Sequence, residues 1–462
     1  MSDGLPPAAD VVERGLAAAG DGGCILLVEE AHEAEVRFAN NTPTTNGVRR
    51  DRRVTAVRVV EVEGGVAAGV ARRAGDVDVA GLVAAAEADA RGSGPAEDAA
   101  PLLDGGADPG FAEGAPGTDL SVLGGVLSAL AGAFERAAAA GRVLSGFAEH
   151  RVATTYLGTS TGVRRRHVQP TGSLHLVGRS DDGARSAWAG TGAADFADVE
   201  LAALEERVVR GLERAVRTVE VPAGRHPVLL APEAVADLMV ALVEAAGGRE
   251  AQDGRTVYSK PGGGTRVGER LADLPLSLWS DPAQPGLECA PFLAAGASGA
   301  DVSVFDNGME IARTDWLRAG TLEHLVYHRA GALRWGGEPV APPDNLVLSL
   351  PGATESLDDL VARTERGLVV TCLWYIREVD PATLLLTGLT RDGVYVVEDG
   401  KIVGAASNFR FNESPVDLLR RATAAGATVR SLGRELGEWM NRTATPPLVV
   451  PDFNLSSVSR AS

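Results

Sequence analysis

Apolar residues recur along this chain at two spacings, and the alternation between them predicts its elements. Residues 10–19 carry a helical period. The next stretches, "CILLVEEAHEAEVRFANN" and "RRVTAVRVVEVEGGVAAGVARR", alternate apolar and polar positions around turn-forming Asn and Gly, as half-buried strands do. "DVAGLVAAAEADARGS" returns to the helical period. Residues 92–118 are rich in Pro, Gly, Ala and Asp and predict a linker or long loop. A helix over about 119–140, three strand-like pieces and a helix ending near Val219 follow. Residues 119–220 therefore form a central α+β region with antiparallel strands.

Beyond "PAGRHP" the texture changes to short strands and Pro-Gly turns. "VLLAPEAVADLMVALVEAAGG" predicts a buried strand feeding a helix. Val235, Leu238, Met239, Leu242 and Val243 make one apolar face. Pro232 suits the first helical position, where its missing N–H has no partner to lose. Glu233, Asp237 and Glu244 fall opposite, predicting a solvated acidic face. Asp399-Gly400 marks a hairpin turn, and Ser414 followed by Pro415 starts another helix. The class is α+β: an N-terminal α/β region with antiparallel strands and a C-terminal β-rich domain with packed helices. The expected division is 1–91, the linker 92–118, 119–220 and 221–462.

Composition narrows the function classes. Across 462 residues, 45% are hydrophobic and 23% charged, as in globular proteins. The net charge of −18 argues against nucleic-acid binding, which needs clustered cations. The sequence shows neither an apolar run fit for a bilayer nor a secretory leader, so the expected compartment is the cytoplasm, without membrane attachment. Cys24, Cys289 and Cys372 lie far apart, an odd number without CxxC spacing, and predict buried reduced thiols.

Local chemistry is sparse. His324 and His328 stand four apart in "EHLVYH", a zinc-chelating spacing on a helix. On a strand they would lie about 13 Å apart, too far for one metal, and no third ligand is nearby in sequence. Glu233 and Asp237 at i, i+4 offer two oxygens to a hard cation but need further ligands. "HEAEVRF" at His32 lacks the second histidine of a zincin, and "KPGGGTRVG" lacks the Lys-Ser/Thr ending of a phosphate loop.

The serial order "HPVLLAPEAVADL", "FDNGMEIARTDWLRAGTLEHLVYHRAGALRWG", "ERGLVVTCLWY" and "DPATLLLTGLTRDGVYVVEDGKIVGAASNFRFNESPVDLL" resembles the TldD/PmbA family, once labelled modulator of DNA gyrase and regarded as metallopeptidases. "RFANNTPTTNGVRRDRRVTAVRVV" resembles its N-terminal domain more loosely. The family's catalytic subunit carries an H-E-x-x-x-H helix after an apolar strand, its histidines binding zinc and its glutamate acting as base. Aligned on that strand, Pro232 stands at the first histidine, Glu233 at the glutamate and Asp237 at the second histidine. The C-terminal cysteine of catalytic chains is also missing from "TPPLVVPDFNLSSVSRAS". "LLLTGLTRDG" departs from the "TGdFS" pattern usual in the TldE/PmbA-type subunit.

The resemblance implies a TldE/PmbA-like, non-catalytic subunit with no cofactor of its own. Its partner would be an HExxxH-bearing TldD-like chain that holds the zinc, and the pair would cleave unfolded or short peptides. Two rivals are an independent hydrolase with an unrecognised site, such as His324 and His328 with a distant carboxylate, and a peptide-binding or scaffold protein.

Overall fold

A computed structural model of the chain describes residues 4–459. Six antiparallel strands form one N-terminal sheet. Three precede the Pro/Gly-rich segment, β1 (Gly23–Ala39), β2 (Thr42–Val62) and β3 (Gly65–Ala74). Three follow it, β4 (Arg142–Thr159), β5 (Arg164–Ser180) and β6 (Ser186–Ala193). The order β3-β2-β1-β4-β5-β6 joins the two sets through the β1–β4 ladder, so residues 1–91 and 119–220 share one sheet. Asn40 and Asn41 both take positive φ, 52° and 57°, in the tight β1–β2 turn, a conformation Asn tolerates.

Alternation along β1 sorts the two faces. Cys24, Leu26, Val28, Val36 and Phe38 pack beneath four helices, α1 (Ala8–Ala19), α2 (Val79–Gly92), α3 (Gly124–Ala139) and α4 (Leu201–Arg214). Ile25 and Leu27 point the other way, to Phe305 and Phe292 of the second half. The sheet's second face is therefore turned towards the C-terminal region. The Pro/Gly-rich segment forms no helix, and it packs Phe111 and Leu102 into these two layers.

In the second half, β7 (Gly224–Leu230), β12 (Arg366–Asp380), β13 (Leu385–Glu398), β15 (Phe409–Glu413) and β19 (Leu448–Val458) pair in a ring. The ring closes because β12 bonds both β7 and β13, which removes the free edges of these strands. β14 (Lys401–Ala405) and β16 (Ala424–Ala425) attach to it. The predicted hairpin joins β13 to β14, with Asp399 and Gly400 at φ 48° and 75°. A further sheet orders β10 (Thr321–Leu322), β9 (Thr314–Arg318), β8 (Ser277–Ser280), β11 (Leu346–Ser349), β18 (Thr443–Thr445) and β17 (Val429–Ser431). Four helices complete this half: α5 (Pro232–Glu244), α6 (Gly248–Gln252), α7 (Arg329–Trp335) and α8 (Leu357–Ala362). A fifth, α9 (Pro415–Arg421), is capped by Ser414 as its sequence predicts.

Two expectations are corrected. Helix α5 has no solvated acidic face: it lies against both sheets, and every residue from Glu233 to Val243 is buried. Ala236 is small enough for a second layer to close over the side opposite the leucines, and only Glu244 of the three acids is exposed. The stretch Leu120–Ala139 is long and apolar enough to cross a bilayer by length and composition, where no such run was expected. Its alanines raise the hydropathy without adding bulk. One face packs Val126, Leu130 and Phe134 on the sheet, while Arg136 pairs with Glu205 of α4.

Candidate functional site

Strand β7 delivers the residues aligned with the HExxxH motif. Val228, Leu229 and Leu230 are fully buried between β12 and β19, which fixes the start of α5 at Ala231 and Pro232. Glu233 leaves the first turn towards α4 and forms an ion pair with Arg207. Asp237, one turn later, is wholly buried. Its Oδ2 accepts the backbone N–H of Arg434 at 3.1 Å, and its Oδ1 accepts those of Glu435 at 3.2 Å and Leu436 at 2.8 Å. Three consecutive amides thus clasp one carboxyl group. Gly433 makes room for it, since a Cβ there would stand 2.4 Å from Oδ1.

The clasping loop also carries Arg434 into the interior. Its guanidinium pairs with Asp392, reaches the Cys372 Sγ at 3.6 Å, and lies over Trp188 and Trp374 at 5.4 and 5.1 Å from the ring centres. Asp392 sits at φ 50° beside Gly393, where the β12–β13 register shifts and turns the side chain inward. This is the "TRDG" stretch in which the sequence departs from the family pattern. Glu435 accepts the N–H of Tyr375 at 3.1 Å and an Arg377 N–H at 3.1 Å, holding Tyr375 at φ 57°.

Burial pushes the Asp237 carboxyl up to about 7 against the lowering effect of its three amide donors. Burial likewise lowers the Arg434 guanidinium and raises the Cys372 thiol. A carboxyl raised in the folded state contributes stability that is full below its unfolded value of about 3.8 and is lost as pH rises through about 7. The protonated form still accepts all three amides, two at the carbonyl oxygen and one at the hydroxyl. Asp237→Asn should therefore flatten the fall in unfolding free energy between pH 4 and 7, measured by urea denaturation. Equal slopes for both proteins would refute the assignment.

Beside this cluster, a groove of about 440 Å³ separates the sheet's second face from residues 437–442. Glu149, Arg151, His167, Gln169, Trp439 and Arg442 are among its lining side chains. Burial raises the Glu149 carboxyl and lowers the His167 imidazole. His175, stacked on Phe147 at 4.5 Å, is lowered to about 4 by burial and by Arg434. Four carboxylate residues, Glu33, Glu149, Asp344 and Glu438, line it with only Arg151 and Arg442 as cations, so the groove is polar, partly aromatic and richer in acidic than in basic groups.

His324 and His328 lie on neither a helix nor a strand. The first contacts the Asp315 carbonyl through Nδ1 at 2.8 Å, and the second caps α7, its Nδ1 accepting the Gly331 N–H at 3.1 Å. No group of three His, Cys, Asp or Glu able to hold a metal occurs among the described residues. The three cysteines are free and buried, with Cys24 and Cys289 raised by burial to about 11 and about 12, which leaves no nucleophilic thiolate near neutral pH.

Helix α5 thus runs from a central barrel strand, with its first two turns facing this polar cluster. Residues 223–457, about half of the chain, match the PmbA/TldA metallopeptidase C-terminal domain, and the chain belongs to that family. Its fold is that of TldE from Thermococcus kodakarensis, at 17% identity and a TM-score of 0.77, covering 97% of this chain and 99% of that one. A Thermotoga maritima protein described as a modulator of DNA gyrase superposes equally, at 18% identity and TM-score 0.77 over 96% and 99% of the two chains. A similarly described protein from Bacteroides thetaiotaomicron gives 15% identity and 0.73 over 97% and 98%. No match is found among curated protein sequences.

The zinc that the family implies does not fit the residues at this position. Pro232 has no donor atom. Both Asp237 oxygens already accept amide protons, and a guanidinium stands beside them. Of the cluster, the sequence singled out Pro232, Glu233 and Asp237 as site residues and Cys372 only as a buried thiol, but not Arg434, Asp392, Trp188 or Trp374. They come from four separate segments, only Cys372 and Trp374 sharing a strand, and no local spacing links those segments.

Proposed function

We propose that this chain is the non-catalytic, TldE/PmbA-like subunit of a two-chain zinc metallopeptidase of the cytoplasm. Its zinc and general base reside in an HExxxH-bearing partner. The observation that carries this reading is the state of the motif positions: Pro232 cannot ligate, Glu233 is committed to Arg207, and Asp237 is committed to the 434–436 amides. The likeness of fold to TldE supports it. In this reading the groove between the sheet and residues 437–442 holds an unfolded or short peptide, through backbone hydrogen bonds and contacts with Trp439.

The purified chain should contain far less than one zinc per molecule and hydrolyse no unfolded peptide. Adding the cognate HExxxH chain should produce hydrolysis that a chelator abolishes, a gain of at least about a hundredfold because the metal-bound water is supplied entirely by the partner. One tightly held zinc per isolated chain, found by elemental analysis, would overturn the proposal.

A further inference from the structure

The groove between the sheet and residues 437–442 holds a charge imbalance that its own ion pairs do not remove. Both lining cations are committed, Arg442 to Asp344 at 2.7 Å and Arg151 to Glu29 at 2.8 Å. Glu33 lies 3.3 Å from Arg49, which also holds Asp51 at 2.9 Å. The next charges on the same face are Glu35, paired with Arg37, and Arg53, opposite Glu29 in the β1–β2 ladder. Further out, Arg430 faces Glu288 and Arg434 pairs with Asp392. His167 and His175 add no charge, because burial keeps both imidazoles neutral at pH 7. With every partner counted, Glu149 and Glu438 remain without an ion pair among the described residues, two negative charges in excess.

Glu149 is the centre of the imbalance. Ser173 Oγ donates to its Oε1 at 3.1 Å, and directly across the β1–β4 ladder stands another carboxylate, Glu35. Like charges facing each other across a ladder are unfavourable. Burial raises the Glu149 carboxyl, and Glu33 on the sheet and Glu438 on the loop raise it further. Two uncharged groups add independent signs of a ligand. His175 is only 9% exposed and lines the groove, stacked on Phe147. Neither of its ring nitrogens makes a hydrogen bond among the described residues, and neither is sealed from the groove. As a neutral imidazole it offers one acceptor to a ligand N–H. Trp439 is 77% exposed, and its ring meets no aromatic or cationic side chain among the described residues. Its face is open to a cation.

We infer, on the reading of this groove as the peptide site, that it selects peptides carrying a basic side chain, whose ammonium or guanidinium sits between Glu149 and Glu438 beside the Trp439 ring. A metal ion fits less well, because no three His, Cys, Asp or Glu able to hold one converge among the described residues. A long basic side chain supplies the missing charge and also an apolar stem to lie on the tryptophan.

The test is isothermal titration of the full chain with acetyl-Ala-Ala-Lys-Ala-Ala-amide, the same peptide with norleucine in place of lysine, and n-butylammonium chloride. The lysine peptide should bind at least about tenfold more tightly than the norleucine peptide, which keeps the stem and loses the charge. Glu149→Gln and Glu438→Gln, with folding checked by circular dichroism, should each cut that preference by about threefold or more and leave the norleucine peptide unchanged. Glu61→Gln, exposed at the far end of β2, should alter neither. Equal affinity for the two peptides, or a preference untouched by both groove variants, would overturn the basic preference while leaving the groove as a peptide site. Butylammonium binding as tightly as the lysine peptide would overturn the peptide as its occupant. No binding of either peptide at millimolar concentration would overturn the preference and the groove reading together, whereas the two-subunit assignment stands or falls on zinc content and partner-dependent hydrolysis.

Discussion

Asp237→Ala should lower the unfolding free energy by about 3–5 kcal/mol, a loss set by buried donors more than by lost packing. The 434–436 amides have this one carboxyl as their acceptor, at 2.8 to 3.2 Å, and it is fully enclosed. Removing it leaves three N–H groups facing apolar surroundings, where each unsatisfied donor costs about 1–3 kcal/mol. Asp237→Asn keeps an oxygen for Glu435 and Leu436 but sets an amide nitrogen against the Arg434 N–H, so its loss should be smaller. Hydrogen exchange separates this cause from a general loosening. Protection should fall first at residues 434–436 in the alanine variant while the barrel strands stay protected. A loss below about 1 kcal/mol would mean that water replaces the carboxyl and that the clasp is not a stability element.

What the sequence made legible was local. Pro232 at the first helical position, the Asp399–Gly400 turn and the Ser414 cap each work through neighbours within four residues, and each is found where its chemistry predicts. The solvated face assigned to α5 failed for the converse reason. Asp237 is satisfied by amides nearly two hundred positions away, and nothing in "PEAVAD" announces them. The two strand triplets were visible as alternating segments, but not that they share a sheet. Their junction pairs Ile25 with Thr159 across the Pro/Gly-rich segment, and only tertiary folding specifies that contact.

The resemblance to a metallopeptidase family singled out Pro232, Glu233 and Asp237 as the expected motif position, but not the groups packed around them. The three arginines of α4 are the exception among the unrecognised groups. Their spacing was readable as a helical stripe, but an arginine stripe on a surface helix ordinarily faces water. In the fold the stripe is instead paired with carboxylates, Arg207 with Glu233, Arg210 with Glu206 and Arg214 with Asp358.

The second large effect should come from Arg434→Met, which removes the cation from the centre of the site. Asp392, with 3% of its side chain exposed, would be left without its principal partner, and breaking such a buried pair costs about 3–5 kcal/mol. A partial substitute is at hand: the Arg391 Nε is buried without a hydrogen bond, 3.7 Å from Asp392 Oδ2. The loss should therefore fall near 3 kcal/mol, the lower end of that range. Adding Asp392→Asn to Arg434→Met should recover part of the loss. Asparagine tolerates the positive φ at that position and brings no charge to be desolvated. In a double-mutant cycle followed by urea unfolding, the two sites should couple by at least about 1.5 kcal/mol. A coupling near zero would reassign Arg434 to its stacking on Trp188 and Trp374. The charge pair would then not be what holds Arg434 in the cluster.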